Sequence, residues 1–292
     1  MRFWAVILAI SLTSRLNAID AIIRDVVYAR HGDSALKLDI YGSEDGPNDH
    51  ERLQPTIVWV HGGAWRRGSK DSVPVLPMRY RGFAIVSVEY RLSPKAMFPA
   101  QANDLHAALR FLKSNANRYG LDTQQFVIAG ASAGGHLAAL VGVTDDVDVL
   151  TQAHDASERT DSSVQAIVSF FGASNLQSIL SQSTEHGLSV RVPALQLLLG
   201  GQPMDVPRLA KLASPVTHVD PGDPPIVLIH GDADPQMPYQ QSVELNDRYR
   251  SAGLQSKLIT VAGARHGGPE FYTDERMDRL AEQLLGWMRR RD

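Results

Sequence analysis

The chain has 292 residues, 43% of them hydrophobic, which is enough for a sizeable core and excludes a disordered or low-complexity protein. A formal charge of −3, with no dense basic run except Arg289-Arg290-Arg291, argues against a nucleic-acid partner. Cysteine is absent, so disulfide frameworks, thiolate metal sites and a cysteine nucleophile are excluded together.

The chain opens with Arg2, an apolar run from Phe3 to Leu12 and a polar stretch ending in Leu16-Asn17-Ala18. This layout predicts a signal peptide over residues 1–18 and export to the periplasm or the exterior. The run is too short to span a bilayer, so no stable membrane insertion is expected. Alternating apolar and polar residues at 26–30 and 35–41, separated by His31-Gly32-Asp33, then predict an edge hairpin. Six apolar, β-branched runs follow, at 56–60, 83–90, 126–130, 165–172, 225–231 and 257–263. Such runs fit strands buried on both faces. Helical patterns fall between or after them, at 99–119, 134–143, 239–252 and 274–290.

Strands alternating with helices imply parallel crossovers. The expected fold is therefore α/β: three layers around a mostly parallel sheet of about eight strands, in a single domain over residues 19–292. Residues 144–163 are polar and acidic and read as a solvated loop. Residues 173–224 are Ser-rich and Pro-punctuated, and 173–213 are expected to form a lid-like insertion.

Gly130-Ala131-Ser132-Ala133-Gly134 places G-x-S-x-G between a predicted strand and a predicted helix. A sharp strand-to-helix turn forces the flanking positions together, and glycine removes the collision, leaving one hydroxyl at the sheet rim. A serine needs a base to take its proton and an acid to orient that base. In this kind of fold the order is Ser, Asp/Glu, His, each from a loop after a strand. Of the ten histidines, His266 alone lies after the last strand, between glycines. Asp232 and Asp234 both follow an earlier strand. Asp234 is preferred because two further residues let the loop curl toward the imidazole, and Asp232 then reads as a turn former. Gly62, Gly63 and Ala133 are placed to offer oxyanion amides.

Trp65 and Phe171 are candidates for the substrate-pocket wall, although Trp65 reads equally as a buried support for its loop. His61 reads as a loop-fixing residue, His136 as a packing residue and His230 as a local hydrogen-bonding group. Arg91 and Asp104 are expected to pair and pin the segment between them. No ligand set with metal-type spacing occurs, so no metal is expected.

From Thr56 onward, "HGGAW", "YRLSP…FPAQAND", "GASAGGHLAAL", "FFGASN", "HGDADPQMPYQQS" and "GARHGG" follow the order and spacing of the α/β-hydrolase superfamily. The set resembles its esterase/lipase branch, and specifically the feruloyl-esterase-like carboxylesterases of BD-FAE type. That resemblance implies Ser132 as nucleophile, Asp234 as acid and His266 as base, no cofactor, and a small-molecule ester as substrate. One departure is that hormone-sensitive-lipase-like relatives carry a third glycine where this chain has Ala64-Trp65. Such relatives also carry a substantial N-terminal cap where only a short segment precedes Thr56 here, so an open site roofed by 173–213 is expected. A kynurenine-formamidase-like amidase, a prolyl-oligopeptidase-like peptidase and a non-catalytic binding protein on the same fold are the competing functions. Oligomeric state is not legible.

Overall fold

A computed structural model describes residues 22–43, 53–151 and 161–289, so the expected signal segment lies outside the described residues. In chain order the elements are β1 (Ile22–His31), β2 (Ser34–Tyr41), β3 (Gln54–Val60), β4 (Ala84–Val88), α1 (Ala100–Ser114), α2 (Ala116–Tyr119), β5 (Leu121–Ala131), α3 (Ala133–Gly142), α4 (Asp148–Thr151) and β6 (Ala166–Phe170). There follow α5 (Ile179–Gln182), α6 (Glu185–Leu199), α7 (Pro207–Leu212), β7 (Ile226–Gly231), α8 (Gln240–Ser251), β8 (Ser256–Val261) and α9 (Asp274–Met288).

The strands form one eight-stranded sheet in the order β1-β2-β4-β3-β5-β6-β7-β8. β1 and β2 join antiparallel at one edge, and every pair from β4–β3 to β7–β8 is parallel. The central strands are apolar throughout because both faces are covered. One face packs on α1, α3, α6 and α8, through Leu105, Leu109, Leu137, Leu195, Leu198, Leu245 and Tyr249. The other packs on α9 and the 73–83 segment, through Met78, Phe83, Met277, Leu284 and Trp287. This is the three-layer α/β-hydrolase architecture.

The apolar stripe of α1 (Ala102, Leu105, Ala108, Leu109 and Leu112) is buried along its length. The segment expected as a lid-like loop instead holds three helices, α5 to α7. α6 is apolar around most of its circumference and carries Pro193 inside it, so no amphipathic period marks it. Its ends are nevertheless written in the sequence. The Thr184 hydroxyl accepts from the Gly187 amide at 3.0 Å, and Gly200 closes the helix at φ 76°. The 144–163 stretch also departs from a simple solvated loop: Leu150 and Ser162 are buried, and Asn103 Nδ2 donates to the Leu150 carbonyl at 2.9 Å.

Candidate active site

Four loops meet at the carboxyl ends of β3, β5, β7 and β8, the edge where parallel sheets of this kind place ligands. β5 ends at Ala131, and Ser132 takes φ 57° and ψ −119°, a conformation uncommon for a residue with a side chain. Its amide donates to the Phe170 carbonyl at 2.8 Å, and its carbonyl accepts the His136 amide at 2.9 Å as α3 begins. A methyl group at Gly130 would lie 2.3 Å from the Gly134 carbonyl oxygen, and one at Gly134 would lie 2.0 Å from that of Val60. Only glycine closes this turn.

The hydroxyl so presented meets two further side chains. His266 Nε2 lies 2.9 Å from Ser132 Oγ, and His266 Nδ1 lies 2.7 Å from Asp234 Oδ2. Because an ionised carboxylate only accepts, Nδ1 carries the ring proton and Nε2 faces the serine hydroxyl as an acceptor. Ser132, His266 and Asp234 thus form one hydrogen-bonded chain.

Asp234 is held from every side. Its Oδ1 accepts from the amides of Gln236 and Met237, both at 2.8 Å, and its Oδ2 also lies 3.3 Å from His230 Nε2. Burial by itself would raise the Asp234 carboxyl, but the hydrogen bonds from His230 and His266 outweigh it and hold the group well below the usual carboxylate range. His230 is therefore more than a local hydrogen-bonding group. It also contacts Ser242 Oγ at 2.7 Å and the Met237 carbonyl at 3.1 Å, which fixes its ring against the aspartate. Asp232 Oδ1 accepts the Gly263 amide at 2.6 Å, and Ala233 N donates to the Ala264 carbonyl at 3.2 Å. These bonds lock the Asp234 loop to the His266 loop.

The sequence did not disclose Arg191. It lies on α6, is 3% exposed, and donates from Nε to Ser183 Oγ at 3.1 Å, while its Nη2 has no protein partner. Burial brings its guanidinium down to about 10, and the charge on Asp234 opposes that shift. A buried cation in a segment read as a loop gives no sequence signal.

Gly62 and Ala133 flank Ser132. A methyl at Gly62 would sit 3.4 Å from the Ser132 Cβ, and Ala133 opens α3, where first-turn amides have no acceptor within the helix. The loop after β3 is fixed from behind. His61 is buried, donates from Nδ1 to the Gly62 carbonyl at 2.8 Å and stacks on Tyr90 at 4.5 Å. Arg91 meets Asp104 through Nε and Nη2, at 2.7 to 3.0 Å, and pins the segment between them.

Of the two candidate wall residues, Phe171 lines the cleft, with its ring edge-on to His266 at 4.9 Å. Trp65 does not: it is 1% exposed and donates from Nε1 to His136 Nδ1 at 3.0 Å. An indole that finds its one polar partner inside the core is satisfied there and has no reason to face solvent. His136 passes the link on through Nε2 to the Ala213 carbonyl at 2.7 Å, tying this loop to the end of the 173–213 segment. The cleft measures about 550 Å³, and Val190 of α6, Gln236 and Tyr272 complete its walls beside Ser132 and His266.

A second serine–histidine contact joins Ser162 to His106 at 3.0 Å. Both are buried, the other ring nitrogen of His106 meets Thr144 rather than a carboxylate, and neither residue lines the cleft. No group of acidic and histidine side chains suited to a metal ion occurs among the described residues, and none of their helices is long and apolar enough to cross a membrane.

The BD-FAE family model matches residues 38–249. Esterase LipC of Mycobacterium tuberculosis is 31% identical over 84% of this chain and 59% of its own length. A truncated carbohydrate esterase from gut microbiota superposes with a TM-score of 0.81 at 31% identity, covering 94% of this chain and 98% of that one. The propionate-bound Est2 esterase of Thermogutta terrifontis gives a TM-score of 0.72 at 25% identity, over 91% and 94% respectively. The chain spans 52 to 61% of the length of the first curated relatives it matches. By this match and these relatives, the chain belongs to the BD-FAE family of α/β-hydrolases.

Proposed function

We propose that the protein is a serine carboxylesterase that cleaves small acyl or aryl esters through an acyl-enzyme. The observation that carries this reading is the continuous path from Ser132 Oγ through the His266 ring to Asp234, at 2.9 and 2.7 Å, beside an open cleft. In it, Ser132 Oγ attacks the ester carbonyl carbon as His266 Nε2 takes the hydroxyl proton. The amides of Gly62, Gly63 and Ala133 stabilise the oxyanion. The tetrahedral adduct collapses, the C–O bond to the alcohol breaks, and the alcohol leaves with the proton from Nε2. Water then gives its proton to Nε2 and attacks the acyl carbon; collapse returns the proton to Ser132 and releases the acid. Asp234 keeps the ring in the required tautomer and stabilises the imidazolium between these steps.

The relatives named above are esterases, which supports the same chemistry. Ser132→Ala is expected to lower kcat on p-nitrophenyl acetate by about 10⁴ or more; near-normal hydrolysis by that variant overturns the assignment. The acyl preference is open to a series of p-nitrophenyl esters of increasing chain length. The export reading rests on the Arg2 to Ala18 pattern, and N-terminal sequencing of secreted protein would find Ile19 first if cleavage follows Ala18.

A further inference from the structure

The charge lining the Ser132 cleft is of one sign. Among the described residues Arg66 and Arg67 line it and no aspartate or glutamate does, although the chain as a whole is net negative. Neither guanidinium has an ion pair or a side-chain hydrogen bond among the described residues. Some arginines elsewhere are matched, Arg24 with Asp39, Arg81 with Asp274 and Asp278, Arg91 with Asp104, and Arg279 with Glu275. Others, such as Arg208 and Arg250, make no ion pair among the described residues. What sets Arg66 and Arg67 apart is their place in the cleft lining. The neighbouring Lys70 turns away to Asp39 at 2.9 Å. Asp234 lies behind His266 with its oxygens already engaged, and the Glu270 carboxylate sits at the rim beside Gly268.

The position of the two arginines is built rather than incidental. Their amides both donate to the Gly63 carbonyl at 3.2 Å, closing a turn in which Ala64 and Trp65 take φ 54° and 59°. A methyl at Gly63 would lie 2.1 Å from the Arg67 carbonyl oxygen. The turn that follows Gly62 and Gly63 in the cleft lining therefore also fixes where Arg66 and Arg67 leave the backbone. Arg66, half-buried, and Arg67, exposed, are both among the lining residues, and a guanidinium fork at such a place suits a carboxylate, which can accept paired N–H donors from it.

We infer that the ester cleaved at Ser132 carries a carboxylate on its acyl or alcohol portion, held by Arg66 and Arg67. This deepens the esterase reading above and rests on it. The test compares two matched pairs of esters. 4-Carboxyphenyl acetate against 4-carbamoylphenyl acetate places the charge on the alcohol side. p-Nitrophenyl hemiadipate against p-nitrophenyl adipamate places it on the acyl side.

In at least one pair, kcat/KM for the charged member should exceed that for the neutral one by about tenfold or more. That ratio should shrink as potassium chloride is added, because salt screens the attraction. It should fall at least severalfold in Arg66→Gln/Arg67→Gln and recover in part in Arg66→Lys/Arg67→Lys, with thermal melts confirming that both variants fold. A ratio at or below one in both pairs, with the neutral esters still hydrolysed, overturns the inference, as does a ratio unchanged by the double glutamine variant. Failure to hydrolyse even the neutral esters overturns the esterase reading itself, and this inference with it.

Discussion

The turn around Ser132 and the helix α6 both face the cleft, but their conformations are fixed by different physics. At the turn, backbone sterics decide: Gly130 and Gly134 stand where added methyl groups would meet carbonyl oxygens at 2.3 and 2.0 Å. In α6, tertiary packing decides, with Ala194, Leu195, Leu198 and Leu199 buried in the core and Val192 and Leu197 left exposed on the same helix. A conformation imposed by sterics leaves a residue pattern in the sequence. One imposed by packing against distant elements leaves little.

The largest expected effect lies on the sterically fixed side. Asp234→Asn should keep the fold yet lower kcat by about 10⁴, because an amide supports the wrong ring tautomer of His266; a loss below tenfold would separate Asp234 from the chemistry. Gly134→Ala should cost on the order of 3 kcal/mol or more in urea unfolding, or prevent folding outright. By contrast Gly200→Ala, at the end of α6, should cost about 1 kcal/mol, since its only close neighbour is the flexible Met97 side chain. Equal costs at the two glycines would mean that sterics fix the Ser132 turn no more firmly than the end of α6.

A comparable cost comes from acid, through the histidine that ties the loop after β3 to the end of the 173–213 segment. Burial holds His136 at about 4 and His106 at about 3, against 6.5 for a free imidazole. Below pH 6.5 the unfolded chain takes up protons that the folded chain refuses, so stability present at pH 7 declines as pH falls toward 4. The His136 contribution alone amounts to about 3 kcal/mol. Because burial raises Asp223 to about 7 and so favours the folded chain as pH falls, the check compares urea midpoints at pH 7.5 and 4.5 in the unchanged protein and in His136→Gln, and an equal decline in both contradicts it. An effect as small as that at Gly200 belongs to the start of α6: Thr184→Ala removes the cap on the Gly187 amide and should cost about 1 kcal/mol.

The same contrast explains what could be read in advance. The strands were legible because burial on both faces writes continuous apolar runs, and their ends fall within a few residues of those runs. Ser132, Asp234 and His266 were legible as partners because each follows a strand and the loops carry glycine or aspartate. Trp65 reads equally as wall or as buried support because its choice between cleft and core depends on His136, 71 positions away. The contact of His230 with Asp234 depends on how the 232–237 loop curls, which spacing does not reveal. Val190 lines the cleft, and Arg191 comes under the charge of Asp234, through a helix whose apolar residues have no dominant face, so no period announced them.

The central claim is that one hydroxyl, activated by one imidazole, is the nucleophile. Treating the folded protein with a fluorophosphonate and mapping the adduct by peptide mass spectrometry tests it most directly. The expected result is a single modification on Ser132 that disappears in Ser132→Ala and slows by orders of magnitude in His266→Ala. Labelling of another serine such as Ser162, or undiminished labelling of Ser132→Ala, would contradict it.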